Sequence, residues 1–275
     1  LTDQAGPTAD EDGVTEDGVT EDGVNELDEE RLPFTEHLRE LRTRTIRVTA
    51  YVLVSFVVAW TLRIDIFNWV TAPYESAILG SDDVRFPDLS YISLLEPIVV
   101  YLKASLTCAV LISAPMVLTE AWLFIAPGLY KTEKRLAAPF LFFSIFCFVG
   151  GVLFCRYTVM QLAIDVLLQF AGDPASGIIT MKEYFDFALR LFLVFGVFFE
   201  LPVVISFAAV LGLVTHKTLI KHWRFAVIGS VIVGAMLTPP DPITQLALAV
   251  PMVALYAISI VLAFFITKAK SPGKA

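Results

Sequence analysis

Between residues 46 and 267 the chain alternates long apolar runs with short polar interruptions, and the runs have the length of membrane crossings. Four of them cover 46–62, 98–117, 137–160 and 184–214, and the last covers 243–267. A fifth in chain order, 225–238, has only 14 residues between Arg224 and Pro239, against the ~20 that a full crossing takes. It predicts a helix that spans a locally thinned, dished bilayer or one buried by its neighbours, and the first reading is preferred. Ahead of the first run, PFTEHLRELRTRTIRV at 33–48 predicts an amphipathic helix. Pro33 suits its first turn, and Phe34, Leu38, Leu41 and Thr45 share a face. Ile66, Phe67, Trp69 and Val70 predict an interfacial helix ahead of Pro73. Residues 63–97 and 161–183 read as substantial loops on the side away from that first helix.

Composition agrees with the pattern. Apolar residues make up 56% of the 275 and charged ones 17%, where a soluble domain carries about 25% charged. Mean hydropathy is +0.71. The chain is expected to be a polytopic membrane protein. Its net charge of −8 misleads, because residues 1–30 hold twelve acids and no base. That tail repeats EDGVT, EDGVT and EDGVN over 11–25 and has too little apolar surface to order itself, so residues 1–30 are expected to be disordered. It lacks the basic and apolar regions of a signal peptide. Fourteen of the twenty Lys and Arg fall in 31–47, 131–135, 217–224 and 268–274. By the positive-inside rule these stretches, and both termini, are expected in the cytoplasm.

Several function classes lose support. No basic patch interleaves with aromatics, so no nucleic-acid partner is expected. Cys108, Cys147 and Cys155 lie within apolar runs at no zinc spacing and read as small apolar residues. No Walker A, HExxH or GxSxG motif occurs. His37, His216 and His222 all lie in stretches assigned to the cytoplasm, which leaves no His base within the bilayer. No catalytic residue, cofactor or metal is expected.

Polar residues at costly places are the candidates for function. Glu40 and Arg44 are four apart on the amphipathic helix and can pair, although a solvated interfacial helix would look the same. Glu133 lies among Lys131, Lys134 and Arg135, after a turn at Pro127-Gly128, and alone would be an ordinary surface ion pair. Glu200, between Phe199 and Leu201, falls near the middle of the fourth run, where an ionisable residue is costly without a partner or water. Pro202 should kink the helix beside it. A Glu hydrogen-bonded to a neighbouring helix remains the alternative. Thr238-Pro239-Pro240-Asp241-Pro242 makes a stiff turn, and Gln245 can hydrogen-bond across helices.

These segments together resemble TatC, the polytopic core of the twin-arginine protein translocase. The resemblance covers about 33–265 and rests on an ordered set: HLRELRTR at 37–44, TAPY at 71–74, EPIVVYLK at 96–103, FIAPGLYKTEKR at 124–135, FELPV at 199–203 and LTPPDPITQ at 237–245. It implies an all-α, six-helix, cup-shaped membrane protein, its fifth helix short and its sixth the other candidate for being short. The core would be 31–268, with a short basic C-terminus at 269–275. It implies recognition of signal peptides bearing paired arginines, and export of folded proteins by the proton-motive force with small single-span TatA/TatB-type subunits. Self-association in a receptor complex within the cytoplasmic membrane is implied too. Glu40 and Glu133 would contact the signal's arginines, with Leu41, Arg42, Arg44 and Phe124 shaping that surface. Glu200, with Pro73, Glu96, Lys103 and Asp241, would serve the membrane face and transport. Met236, Leu237, Thr238 and Gln245 would match the docking place of partner helices.

Two departures stand out. The acidic repeat is foreign to the family pattern, and Ala257 follows Tyr256 where many relatives carry Glu. Glu120 has no role in this scheme. A proton-coupled small-molecule transporter would also use a midplane carboxylate, but should show inverted repeats, which the spans lack. An intramembrane protease would need a base at membrane depth.

Overall fold

The computed structural model describes the backbone of residues 21–79, 89–125, 134–170, 179–238 and 242–270, and the side chains of 38–77, 89–125, 138–167, 179–238 and 242–268. Apart from one bridge, Ser90 to Thr180, the regular structure among these residues is helical. Ten helices follow in order. They are α1 (Glu21–Thr61), α2 (Arg63–Leu79), α3 (Glu96–Ile125), α4 (Lys134–Phe154), α5 (Met160–Phe170), α6 (Met181–Phe198), α7 (Leu201–Val210), α8 (His216–Lys221), α9 (Trp223–Leu237) and α10 (Pro242–Lys270). Among the described residues, those up to Arg47 form one compact unit and those from Val48 onward another.

Five segments are long and apolar enough to cross a membrane: Leu38–Thr61, Glu96–Ile125, Ala138–Leu167, Met181–Val210 and Pro242–Lys268. The sixth apolar helix, α9, has 15 residues, about 22 Å at 1.5 Å per residue, and falls short of a ~30 Å hydrocarbon core. Phe225, Ile228, Ile232 and Met236 recur along one exposed face of it. Burial by its neighbours is therefore not the answer to its shortness. A thinned bilayer is consistent with both its length and its bare face. The last helix, taken from sequence as the other candidate for being short, has 29 residues.

Five features of the helices refine or depart from the sequence expectations. Helix α1 begins at Glu21, inside the tail expected to be disordered, because a helix nucleated in an apolar span propagates one bond at a time through tolerant residues such as Glu and Leu. Pro33 accordingly lies inside α1 and not in its first turn. Helix α2 does not stop at Pro73 but runs on to Leu79. The third span contains a π-helical turn, Cys155–Val159, between α4 and α5. The fourth span breaks at Phe199 and Glu200, with Pro202 in the first turn of α7, the kink that proline's missing N–H favours. Helix α7 ends earlier than expected, at Val210, in a Schellman closure. Gly212 takes φ 79°, and the N–H of Leu213 reaches Ala208 O at 2.9 Å.

The largest core lies around α6, whose Phe185, Phe192 and Phe195 are fully buried at helical spacing. Thr180 caps this helix by accepting from Glu183 N at 3.3 Å. Helices α3 and α4 pack on α6, and α10 packs on α7 and α9. The α4–α6 crossing is tight at Gly151, where an added Cβ would meet Phe199 Cβ and Cγ at 2.7 Å and Phe195 O at 2.8 Å. Gly151→Val is expected to lower stability by about 1–3 kcal/mol through overpacking. Gly150→Val, with nothing within 4 Å of its added Cβ, should be near neutral. Thermal unfolding of the two purified variants checks this, and equal melting temperatures would contradict the close crossing.

Candidate functional site

On α1, Glu40 and Arg44 pair as the i, i+4 spacing predicts. Arg44 donates to Glu40 Oε1 from Nη2 at 2.5 Å and from Nε at 3.1 Å. Both contacts fall on one oxygen, and the Glu40 side chain remains 30% exposed. Leu41 and Arg42 are exposed beside it. Phe124, half-buried, stands one residue from the end of α3. Glu133, its expected companion in arginine recognition, lies outside the described residues, as do the Pro127-Gly128 turn and Asp241.

Glu200 occupies the break between α6 and α7. Ser144 on α4 donates its hydroxyl to Glu200 Oε2. The other oxygen, Oε1, is buried and has no hydrogen-bond partner among the described residues. One oxygen is thus held by a neighbouring helix, and the second is buried without a donor among the described residues. Ser144 is a partner that sequence inspection missed, since one serine in an apolar run carries no signal of its own.

At the opposite ends of these spans the charged candidates join segments far apart in sequence. Lys103 Nζ bonds both carboxylate oxygens of Asp186, at 2.7 and 2.9 Å, tying α3 to α6. Glu96, buried, accepts from Ile92 N at 3.0 Å and Ser93 N at 3.4 Å, and its Oε1 accepts from Lys182 N at 2.9 Å at the start of α6. A carboxylate at these helix starts also meets the positive end of each dipole. Asp186 was legible in principle, because it and Lys103 lie within two turns of the same ends of their spans. Glu120, unassigned from sequence, is buried and accepts from the Tyr51 hydroxyl at 3.5 Å.

Pro73 is buried in α2, and as a proline it cannot donate to Trp69 O, its i−4 carbonyl. Arg156, in the π-helical turn of the third span, supplies that donor. Its Nε reaches Trp69 O at 2.8 Å, and its guanidinium lies 5.4 Å from the Trp69 ring. The Tyr184 hydroxyl donates to the next carbonyl, Val70 O, at 2.6 Å. The sequence marked Pro73 but gave no hint of Arg156, whose partner is a backbone atom.

The docking candidates separate into two kinds. Met236 is 74% exposed, whereas Leu237 and Thr238 are buried from solvent. All three line a cavity of about 540 Å³ that α6 completes with Glu183, Asp186 and Arg190. Gln245 does bond across helices, its Nε2 donating to Val231 O on α9 at 3.0 Å. One N–H of that amide is thus used within the chain.

Comparison with known proteins follows the same lines. The family model described as Sec-independent protein translocase protein (TatC) matches residues 36–251. The Sec-independent protein translocase protein TatC of Desulforapulum autotrophicum is 38% identical over 234 residues, 85% of this chain and 85% of that protein. The TatC of Helicobacter pylori is 36% identical over 233 residues, 85% of this chain and 89% of that protein. A crystal structure of the twin arginine translocase receptor TatC superposes with a TM-score of 0.75 at 32% identity, covering 84% of this chain and 99% of that one.

Proposed function

Because the chain belongs to the TatC family of Sec-independent protein translocase proteins, we propose that it recognises signal peptides bearing two adjacent arginines and starts their passage across the membrane. The observation that carries this reading is the Glu40 carboxylate on α1, part-exposed and engaged by Arg44 through one oxygen. A second guanidinium can approach the other oxygen, and planar guanidinium forks suit carboxylates better than ammonium groups do. Glu133 supplies the second acid of the pair. Arg42, Arg44, Leu41 and Phe124 shape the surface around them.

Small single-span subunits then dock beside α9, whose bare apolar face and adjoining cavity accept a helix. Glu200 serves that membrane-embedded face, and the proton-motive force drives transport. Residues 31–268 form the translocating core, flanked by the acidic tail and a short basic C-terminus.

The test is photo-crosslinking from positions 40 and 133 of the full chain to a twin-arginine peptide and its Lys-Lys variant. Adducts with the first and their loss with the second are the expected result. Equal adducts with both peptides would overturn arginine recognition. Topology supplies a separate check. With both termini cytoplasmic, cysteines introduced at 83 and 173 should react with an impermeant thiol reagent outside intact cells, and one at 132 should not. Outside labelling at 132 would reverse the orientation.

A further inference from the structure

Between the bridge at Ser90 and the start of α3 runs a turn whose side chains do not suit water. Tyr91, Ile92, Leu94 and Leu95 are all exposed, Ile92 at 79% and Leu94 at 86%. The backbone there is not yet helical, but the N–H groups of Ile92, Ser93 and Leu95 are held by acceptors within the chain. Glu96 Oε2 takes the N–H groups of Ile92 and Ser93, Ser93 Oγ takes that of Leu95 at 3.4 Å, and Ser93 O takes that of Glu96 at 3.0 Å. Such capping contacts also occur at helix starts in water, but an aqueous turn would show the water polar side chains. Here the internal acceptors are supplied by the protein and the apolar side chains point outward. Irregular backbone is admitted at membrane depth only when protein satisfies its polar groups.

Two further observations select lipid as what covers this turn. The exposed apolar surface continues without interruption onto α3 through Ile98, Val99 and Leu102, on a segment with the hydropathy of a membrane span. Lys182, exposed at the start of α6, borders the same cleft as Ile92, Leu95 and Val99. Its stem can lie along apolar surface while its ammonium reaches the headgroups, and Tyr91 is an aromatic of the kind that favours that level.

We infer that residues 91–95 form a lipid-inserted anchor, seated at the headgroup–acyl boundary about 5–10 Å into the leaflet. Because Glu96 also binds Lys182 N, and Ser90 pairs with Ile179 and Met181, the anchor sets the depth of α3 and α6 together. Signal recognition is not required for this, so its test stands apart from that of the proposed function.

Nitroxide labels at 92, 94, 98 and 217, one per sample, are placed on full-length chain with Cys108, Cys147 and Cys155 changed to Ala. The protein is reconstituted in phosphatidylethanolamine–phosphatidylglycerol liposomes. Labels at 92 and 94 should behave as the one at 98, colliding several-fold more with oxygen than with a water-soluble nickel chelate, and the label at 217 should show the reverse. Chelate access at 92 and 94 equal to that at 217 would overturn the anchor. So would protection from both reagents with label–label broadening that disappears on dilution with unlabelled chain, which would assign the turn to a second copy. Wild-type chain gives an independent reading. Liposomes carrying a phospholipid with an acyl-chain diazirine should give adducts within 91–95, and adducts confined to α3 beyond residue 98 would also sink the proposal.

Discussion

A lysine at position 40 or at position 133 is expected to weaken twin-arginine peptide binding at least tenfold, and lysines at both positions to abolish measurable binding. A hydrogen bond to a charged group contributes about 1.5–3 kcal/mol, and ~1.4 kcal/mol corresponds to a factor of ten. Charge reversal removes that contact and adds repulsion toward the incoming guanidinium. The existing Arg44 contact does not block the site, because an i, i+4 helix pair is worth only about 0.3–0.5 kcal/mol, and it engages Glu40 through Oε1. Peptide titration against purified chain, with the Lys-Lys peptide as the reference, reads the effect. Helical content should be unchanged in Glu40→Lys, since the residue is part-exposed. Unchanged affinity in Glu133→Lys would remove that residue from the site.

Export is expected to be lost in Glu200→Ala and largely kept in Glu200→Gln, with twin-arginine binding nearly intact in both. The carboxyl group links α4 to the α6–α7 break through Ser144 and holds one buried oxygen with no donor among the described residues. Glutamine retains the size and an acceptor for Ser144. It also places a polar terminus where a partner helix or an inserted signal can bond to it. Alanine removes all of this and leaves the Ser144 hydroxyl without its acceptor. A proton-carrying role makes a different demand: Gln would then fail as badly as Ala, because it cannot ionise. Export assays on the two variants, with peptide binding measured alongside, separate the cases. Normal export by Glu200→Ala would show that the residue serves neither.

The spans were legible because lipid imposes a length and an apolar composition that soluble helices do not share. The short fifth helix was legible for the same reason, since Arg224 and Pro239 bracket it. Glu200 stood out as a lone acid in an apolar run, and Pro202 announced the break beside it. What escaped were contacts whose partner is invisible in a string of letters. Arg156 bonds a backbone carbonyl, Ser144 is one hydroxyl among many, and Asp186 matters because Lys103 arrives from another helix. Gln245 was correctly expected to bond across helices, but the identity of its acceptor, Val231 O, is set by how closely α9 approaches α10 at Gly234. Helix ends were misplaced where propagation outran composition, as at Glu21, or where capping intervened, as at Gly212.

The carbonyl left open by Pro73 has a consequence for how the chain is made. Helix α2 leaves the ribosome before the third span, yet Trp69 O receives its donor from Arg156. Until the chain has grown by the 87 positions that separate Trp69 from Arg156, a membrane-buried α2 would carry that oxygen unpaired, at a cost that hydrocarbon cannot relieve. The early hairpin should therefore wait at the water interface and settle only when the third span arrives. Ribosome-bound chains truncated before and after Arg156 should differ in the accessibility of α2 to water-soluble reagents. Biogenesis of this protein would then include a late docking step, timed by one proline in its second helix.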